Sequence, residues 1–319
     1  MSVSQKGSKI FLRTDSHTYY YDESLPILGS GAMGIVYKGI ELSTNKVVAI
    51  KRLKDRFANI PAIRRRAHQE ANLMFSHPNL VEMHGCCEVA PNRGPLFIIS
   101  SYVDGETIDC FINNNIRQLP QAEQRICNMF LPVLDALSYI HHKQILHLDI
   151  KPSNIMVEKG RNVRLMDLGI ANVSADTEEI SSGMMGTPKY AAPEQFANGV
   201  ERRKLSCATD IYEAGVTLYE LITNNNPFPN EIEKARQLHM SAILEKVPSI
   251  SYEVLSVIQK ATATVPSARY QQASEMKAAL IEALRSPRPT TRYTLKFYCA
   301  IAIAIIFVIG IMILLMQII

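Results

Sequence analysis

The period of apolar and polar positions changes along the chain, and each change marks a structural boundary. Residues 1–24 are polar and rich in tyrosine, and predict an N-terminal extension or an extra strand on a first lobe. From Leu25 the apolar runs are short and β-branched: Ile27-Leu28, Ile35-Val36-Tyr37 and Lys46-Val47-Val48-Ala49-Ile50-Lys51 read as strands of a small sheet. A charged helical stretch over 60–75 comes next, then strands near 80–84 and 96–100. From about Gly105 the helical period dominates. Ile126, Phe130, Val133, Leu134, Leu137 and Ile140 recur at helical spacing and predict a long amphipathic helix over 122–141. Further helices are expected over 207–223, 231–244, 251–261 and 274–284, separated by Pro- and Asn-rich turns, with no internal repeat.

Positions 297–319 have no polar face: the segment carries no charge, and Gln317 is its one strongly polar residue. As a helix it would extend roughly 30 to 35 Å, which suits a bilayer core. Arg285, Arg288, Arg292 and Lys296 flank it on the N-terminal side, and the positive-inside rule places that side in the cytoplasm. A single-pass C-terminal membrane anchor with the preceding domain cytoplasmic is therefore expected. Ala300 and Ala304 form a small-x-x-x-small pair compatible with a homodimer.

Composition narrows the class. The 319 residues are 47% hydrophobic and 20% charged, which is not the balance of a disordered chain. The net charge of +4 is spread without a long basic tract, so no nucleic-acid partner is expected. Six cysteines without C-x-x-C spacing fit a reducing compartment, and the polar N-terminus lacks the apolar stretch of a secretory signal.

The candidate chemistry lies in three places. Gly29-Ser30-Gly31-Ala32-Met33-Gly34 sits between strand patterns, where glycines let backbone N–H groups approach phosphates. A dinucleotide-binding reading needs a helix directly after the glycines, and Ile35-Val36-Tyr37 continues as strand. Lys51 ends the next strand as a point charge for phosphate oxygens, with Glu70 on the following helix as the carboxylate to hold it. Then come His147-Leu148-Asp149-Ile150-Lys151-Pro152-Ser153-Asn154 and Asp167-Leu168-Gly169.

With those residues in place, the chain from about Leu25 to Leu284 resembles the eukaryotic-type (Hanks-type) Ser/Thr protein kinases. The resemblance implies an α+β, bilobal protein-kinase-like fold plus one C-terminal transmembrane helix. Its parts would be an extension at 1–24, a small β-rich N-lobe and hinge at 25–103, a larger helical C-lobe at 104–285, a basic linker at 286–296 and the helix at 297–319. It implies ATP and Mg2+ as cofactors and protein substrates with Ser/Thr acceptors. Asp149 would accept or orient the substrate hydroxyl proton, Lys151 would contact the transferred phosphate, and Asn154 and Asp167 would hold magnesium. Leu28, Val36, Ala49 and Met156 would wall the adenine, with Gly29, Gly31 and Gly34 over the phosphates, Ser101-Tyr102-Val103 as hinge and Ser100 controlling the back pocket. Thr187 would lie near the acceptor, and Glu194 would pair with Arg269 in the interior.

Three departures from the family pattern bear on regulation and geometry. Leu148 stands where many relatives carry an arginine that pairs with an activation-loop phosphate, so phosphorylation of Thr177, Ser181 or Ser182 is not expected to be required. Leu168 replaces the usual Phe, and the stretch from Glu70 to His77 is about two residues short for the family. The readings in competition are an active membrane-anchored kinase, including autophosphorylation, a pseudokinase or nucleotide-binding scaffold, and small-molecule phosphotransfer on the same fold.

Overall fold

Alternation in the first two dozen residues builds the outer part of the main sheet. The structure, a computed structural model, describes residues 2–31, 33–71, 75–90, 93–160, 162–167, 187–196, 205–228 and 250–285. In β1 (Ser2–Lys6), β2 (Lys9–Arg13) and β3 (Thr18–Asp22), Ile10, Leu12, Tyr19 and Tyr21 are buried. Phe11 and Tyr20 stand on the other face with ring centroids 5.7 Å apart, as cross-strand neighbours do. Gly7, at φ +63°, supplies the left-handed position of the tight turn between β1 and β2.

β3 pairs antiparallel with β5 (Gly34–Glu41), Tyr20 opposite Ile40. The segment expected to be an extension or an extra strand thus supplies three strands of the first lobe. The sheet runs on through β6 (Val47–Leu53), β8 (Arg93–Ser101) and β7 (Met83–Ala90), with the short β4 (Gly29–Ser30) paired to the start of β5. It rolls until its first and last strands meet, where the Cys87 thiol of β7 donates to the Ser2 carbonyl at 3.3 Å. Tyr21, Tyr37, Ile50, Phe97 and Ile99 fill the interior with Ile10 and Leu12. The N-terminal hairpin therefore covers a core that the rest of the lobe would leave open to water.

Several expected boundaries shift. Ile27 and Leu28 are exposed and precede the ladder, which starts at Gly29. The charged stretch over 60–75 contains α2 (Pro61–Ala71), preceded by the single turn α1 (Asp55–Ala58); Phe75 is outside any helix. The strand expected at 80–84 begins at Met83, and Leu80 makes an isolated bridge to Leu165. Buried Arg64 fixes α2 to the sheet: it pairs with Glu88 and donates to the carbonyls of Ala58 at 3.0 Å and Gly94 at 2.6 Å.

Beyond the hinge the elements are β9 (Gly105–Thr107), α3 (Ile108–Asn115), α4 (Ala122–His142), β10 (Ile155–Glu158), β11 (Val163–Leu165), α5 (Cys207–Thr223), α6 (Tyr252–Ala261) and α7 (Ala273–Arg285). Ser206 caps α5 by accepting from the Ala208 N–H, and Thr209 returns the bond to the Ser206 N–H, a capping box. α5 is buried on nearly every face, against α4 and α6. The architecture is the expected α+β, a β-rich lobe followed by a helical one. Ala32, Leu168, Gly169, Thr177, Ser181, Ser182, the helix expected at 231–244, the linker at 286–296 and the apolar segment at 297–319 lie outside the described residues. Among the described residues no helix is long and apolar enough to cross a membrane. Residues 1–283 form one compact unit and 284–319 a second.

Candidate active site

Three buried polar residues of helix α5 hold the loop from His147 to Asn154. Asp210 Oδ2 accepts from the His147 N–H and Oδ1 from the Leu148 N–H, both at 2.8 Å. Glu213 Oε2 accepts from the Ile150 N–H at 2.8 Å, and Thr217 Oγ1 donates to the Ile150 carbonyl at 2.9 Å. All three side chains are fully buried. Burial, and then the charge of Asp210, pushes the Glu213 carboxyl well up, and its Oε1 accepts from Gln195 Nε2 at 2.9 Å. Leu148 adopts φ +58°, an uncommon value for a leucine, and its two flanking N–H bonds to α5 fix it there.

His147 is buried, and its pKa is lowered mainly by loss of water. The neutral ring accepts the Asp149 N–H at Nδ1, at 3.3 Å, and donates from Nε2 to the Met166 carbonyl at 3.0 Å. It thereby links the catalytic loop to the residue before Asp167.

Asp149 is the centre of a side-chain network. Lys151 Nζ donates to Asp149 Oδ2 at 2.7 Å and to Thr187 Oγ1 at 2.6 Å, while Thr187 Oγ1 donates to Asp149 Oδ1 at 2.8 Å. Asn154 Nδ2 donates to the Asp149 carbonyl at 2.8 Å and to Oδ2 at 2.9 Å. Burial pushes the Asp149 carboxyl up, but the Lys151 ammonium and the bonds from Lys151 and Thr187 outweigh it and hold the group below the usual carboxylate range. It is ionised at neutral pH and able to take a hydrogen bond from a hydroxyl.

Lys51, on β6 opposite Val36, places Nζ 3.0 Å from Asp167 Oδ1. Asp167 is at φ +46° with its side chain 43% exposed, so part of the carboxylate remains open to a ligand. Glu70 lies on α2, but its side chain is outside the described residues. Magnesium prefers hard oxygen donors and keeps water. The Asp167 carboxylate fits that preference, as does the Asn154 amide oxygen, whose NH2 end is committed to Asp149. Together with phosphate oxygens they form a suitable donor set.

The remaining expected positions fall on the glycine loop, the adjoining strands and the interior of the helical lobe. Gly29 pairs with Val36, and the Leu28 N–H donates to the Val36 carbonyl at 2.8 Å. A Cβ on Gly29 or Gly31 would meet nothing within 4 Å, whereas one on Gly34 would lie 2.7 Å from the Arg52 carbonyl oxygen. The first two glycines leave room for a ligand, and the third is demanded by β6 itself. Ala49 pairs with Ser100 on β8, Met156 pairs with Thr107 on β9, and Val103 is buried. The Lys38 ammonium sits 5.1 Å from the Tyr102 ring centroid. Glu194 and Arg269 form the expected ion pair, at 2.7 and 2.9 Å, with Tyr212 beneath the guanidinium at 4.8 Å.

The sequence reading missed Glu213, Thr217 and His141. Their signal was available: Asp210, Glu213 and Thr217 fall on one face of α5 at i, i+3 and i+7. It also missed Lys54, whose Nζ donates to the Gly31 carbonyl at 2.7 Å and steadies the glycine loop.

This arrangement belongs to a known class. The protein kinase domain family matches residues 23–301, and the chain belongs to that family. It is 32% identical over 272 residues to the serine/threonine-protein kinase PrkC of Bacillus subtilis (strain 168), covering 83% of this chain and 40% of that protein. It is also 32% identical over 275 residues to the serine/threonine-protein kinase PknB of Mycolicibacterium smegmatis, covering 82% of this chain and 43% of that one. The chain spans about two fifths of the length of these relatives. The crystal structure of the Mycobacterium tuberculosis PknI kinase domain superposes with a TM-score of 0.62 at 22% identity, over 88% of this chain and 100% of that one, which shows the protein kinase fold.

Proposed function

We propose that this protein transfers the γ-phosphoryl group of ATP to serine or threonine side chains of proteins, itself included. The observation that carries the reading is the triangle of Asp149, Lys151 and Thr187, in which one hydroxyl donates to the carboxylate at 2.8 Å and accepts from the ammonium at 2.6 Å. An acceptor hydroxyl needs the same two partners: a carboxylate to orient its proton and a cation beside the oxygen it will share with phosphorus. Lys51 and the glycine loop supply positioning for the phosphates, and Asp149 and Lys151 supply the acceptor side. Magnesium, when bound by Asp167 and Asn154, neutralises phosphate charge.

Every position that a pseudokinase usually loses is filled here: Lys51, Asp149, Asn154 and Asp167 are all present. The relatives named above are serine/threonine-protein kinases, which supports an aliphatic hydroxyl rather than a phenol as the acceptor. The test is labelling with γ-labelled ATP and Mg2+ followed by acid hydrolysis. Phosphoserine and phosphothreonine are expected; label confined to phosphotyrosine would overturn the assignment.

The apolar run over 297–319 and its basic flank support a cytoplasmic kinase tethered to the membrane. Fractionation of the full chain beside a version ending at 296 tests this: the full chain should pellet with membranes and the shorter one should not.

A further inference from the structure

The turn between β6 and α1 holds the glycine loop at three points. Lys54 occupies that turn in an extended conformation, φ −65° and ψ 141°, and is partly exposed. Its Nζ donates to the Gly31 carbonyl at 2.7 Å, and its own N–H donates to the Met33 carbonyl at 2.9 Å. The Met33 side chain packs against a cluster that includes Leu53, Ala58, Ala67 and Ala71. The Gly31 N–H donates to the Gly34 carbonyl at 2.9 Å, so the carbonyl that Lys54 grips belongs to a residue already tied into the β4–β5 turn.

The other side of Lys54 serves the helices. Its carbonyl accepts from the Phe57 N–H at 2.8 Å and from the Ala58 N–H at 2.9 Å, which closes the single turn of α1. The Ala58 carbonyl in turn accepts from buried Arg64 of α2. One residue thus ties the glycine loop to α1 and, through Ala58, to α2. Lys51 and Lys54 stand three positions apart and have different partners: Lys51 pairs with Asp167, and Lys54 with the loop.

Gly31 needs such a tether. A Cβ there would meet nothing within 4 Å, so the space around the residue is open and no packing confines it. Glycine also has the most conformational freedom to lose on being ordered. A ligand binds more weakly by the fraction of molecules in which its site is already arranged.

We propose that Lys54 is a positioning residue for the phosphates of the nucleotide, acting through the Gly31 carbonyl. It touches no reacting atom. It fixes the backbone at Gly31 against α1 and α2 before the nucleotide arrives, so less order has to be imposed on binding. The inference rests on the reading of this cleft as an ATP site.

Calorimetric titration of the full chain in nonionic detergent with Mg2+ tests it, using the β,γ-imido analogue of ATP and, separately, adenosine, because neither ligand has to react. Lys54→Met keeps a long side chain and removes the donor. It should weaken binding of the analogue by about fivefold, the effect of losing one exposed charge-assisted bond, and leave adenosine within about 1.5-fold of wild type. Lys54→Arg restores a donor and should bind both ligands as wild type does. In phosphorylation assays Lys54→Met should raise the KM for ATP by about fivefold with kcat within about twofold. Unchanged binding of the analogue would overturn the proposal. So would equal weakening of the analogue and adenosine, which marks a general disturbance of the lobe. A wild-type chain that binds the analogue yet transfers no phosphate would overturn the kinase reading and leave the Lys54 result standing.

Discussion

The His141–Asp210 pair makes stability depend on pH in a direction that can be worked out. His141 has a folded-state pKa of about 9 against 6.5 for the free side chain, although burial alone would lower it. That difference makes the protonated folded state more stable by about 3 kcal/mol. Because the folded value is raised, the contribution is fully present below pH 6.5, declines above it and is gone above about pH 9. The chain has no tryptophan, so equilibrium urea unfolding of the full chain in detergent is best followed by circular dichroism at 222 nm. Between pH 6 and pH 9.5 wild type should lose about 3 kcal/mol that His141→Gln does not lose, since glutamine keeps a donor for Asp210 but cannot titrate. If wild type and variant fall in parallel over that range, the imidazolium is not held by Asp210 as described.

Other consequences follow from particular contacts. Arg269→Ala leaves the Glu194 carboxylate without its partner in the interior and should cost about 3–5 kcal/mol in denaturant unfolding. Deleting residues 1–17 removes the hairpin that covers Tyr21, Phe97 and Cys87 and should abolish the cooperative thermal transition of the first lobe; an unchanged melt would contradict the rolled sheet. Because buried Leu148 offers no cation to an activation-loop phosphate, the triple change of Thr177, Ser181 and Ser182 to Ala should leave peptide phosphorylation within about threefold of wild type, and collapse would refute this.

The residues proposed for catalysis were legible because they fall in short contiguous runs, and Asp149, Lys151 and Asn154 meet in space as they do in sequence. The support beneath them was harder to read. α5 is buried on nearly all sides, so it shows no amphipathic stripe, and the roles of Glu213 and Thr217 emerge only when Ile150 is seen against them. β9 and β11 are three residues each, too short to carry a period. The tyrosine-rich N-terminus read only as an extension or one extra strand, because its place in the sheet depends on pairing between Tyr20 and Ile40 and on contact with β7, neither of which is local. His141 and Asp210 are 69 positions apart and share no motif, so nothing short of the fold brings them together.

The most direct test of the active-site assignment is incorporation of label from γ-labelled ATP in the presence of Mg2+, comparing wild type with Asp149→Asn at matched folded fraction. The substitution keeps the shape and the bonds from Asn154 and Lys151 within reach but removes the charge that orients the acceptor hydroxyl. Incorporation should fall by about 10²-fold or more; equal incorporation in the two proteins would contradict a catalytic Asp149 and favour a nucleotide-binding scaffold.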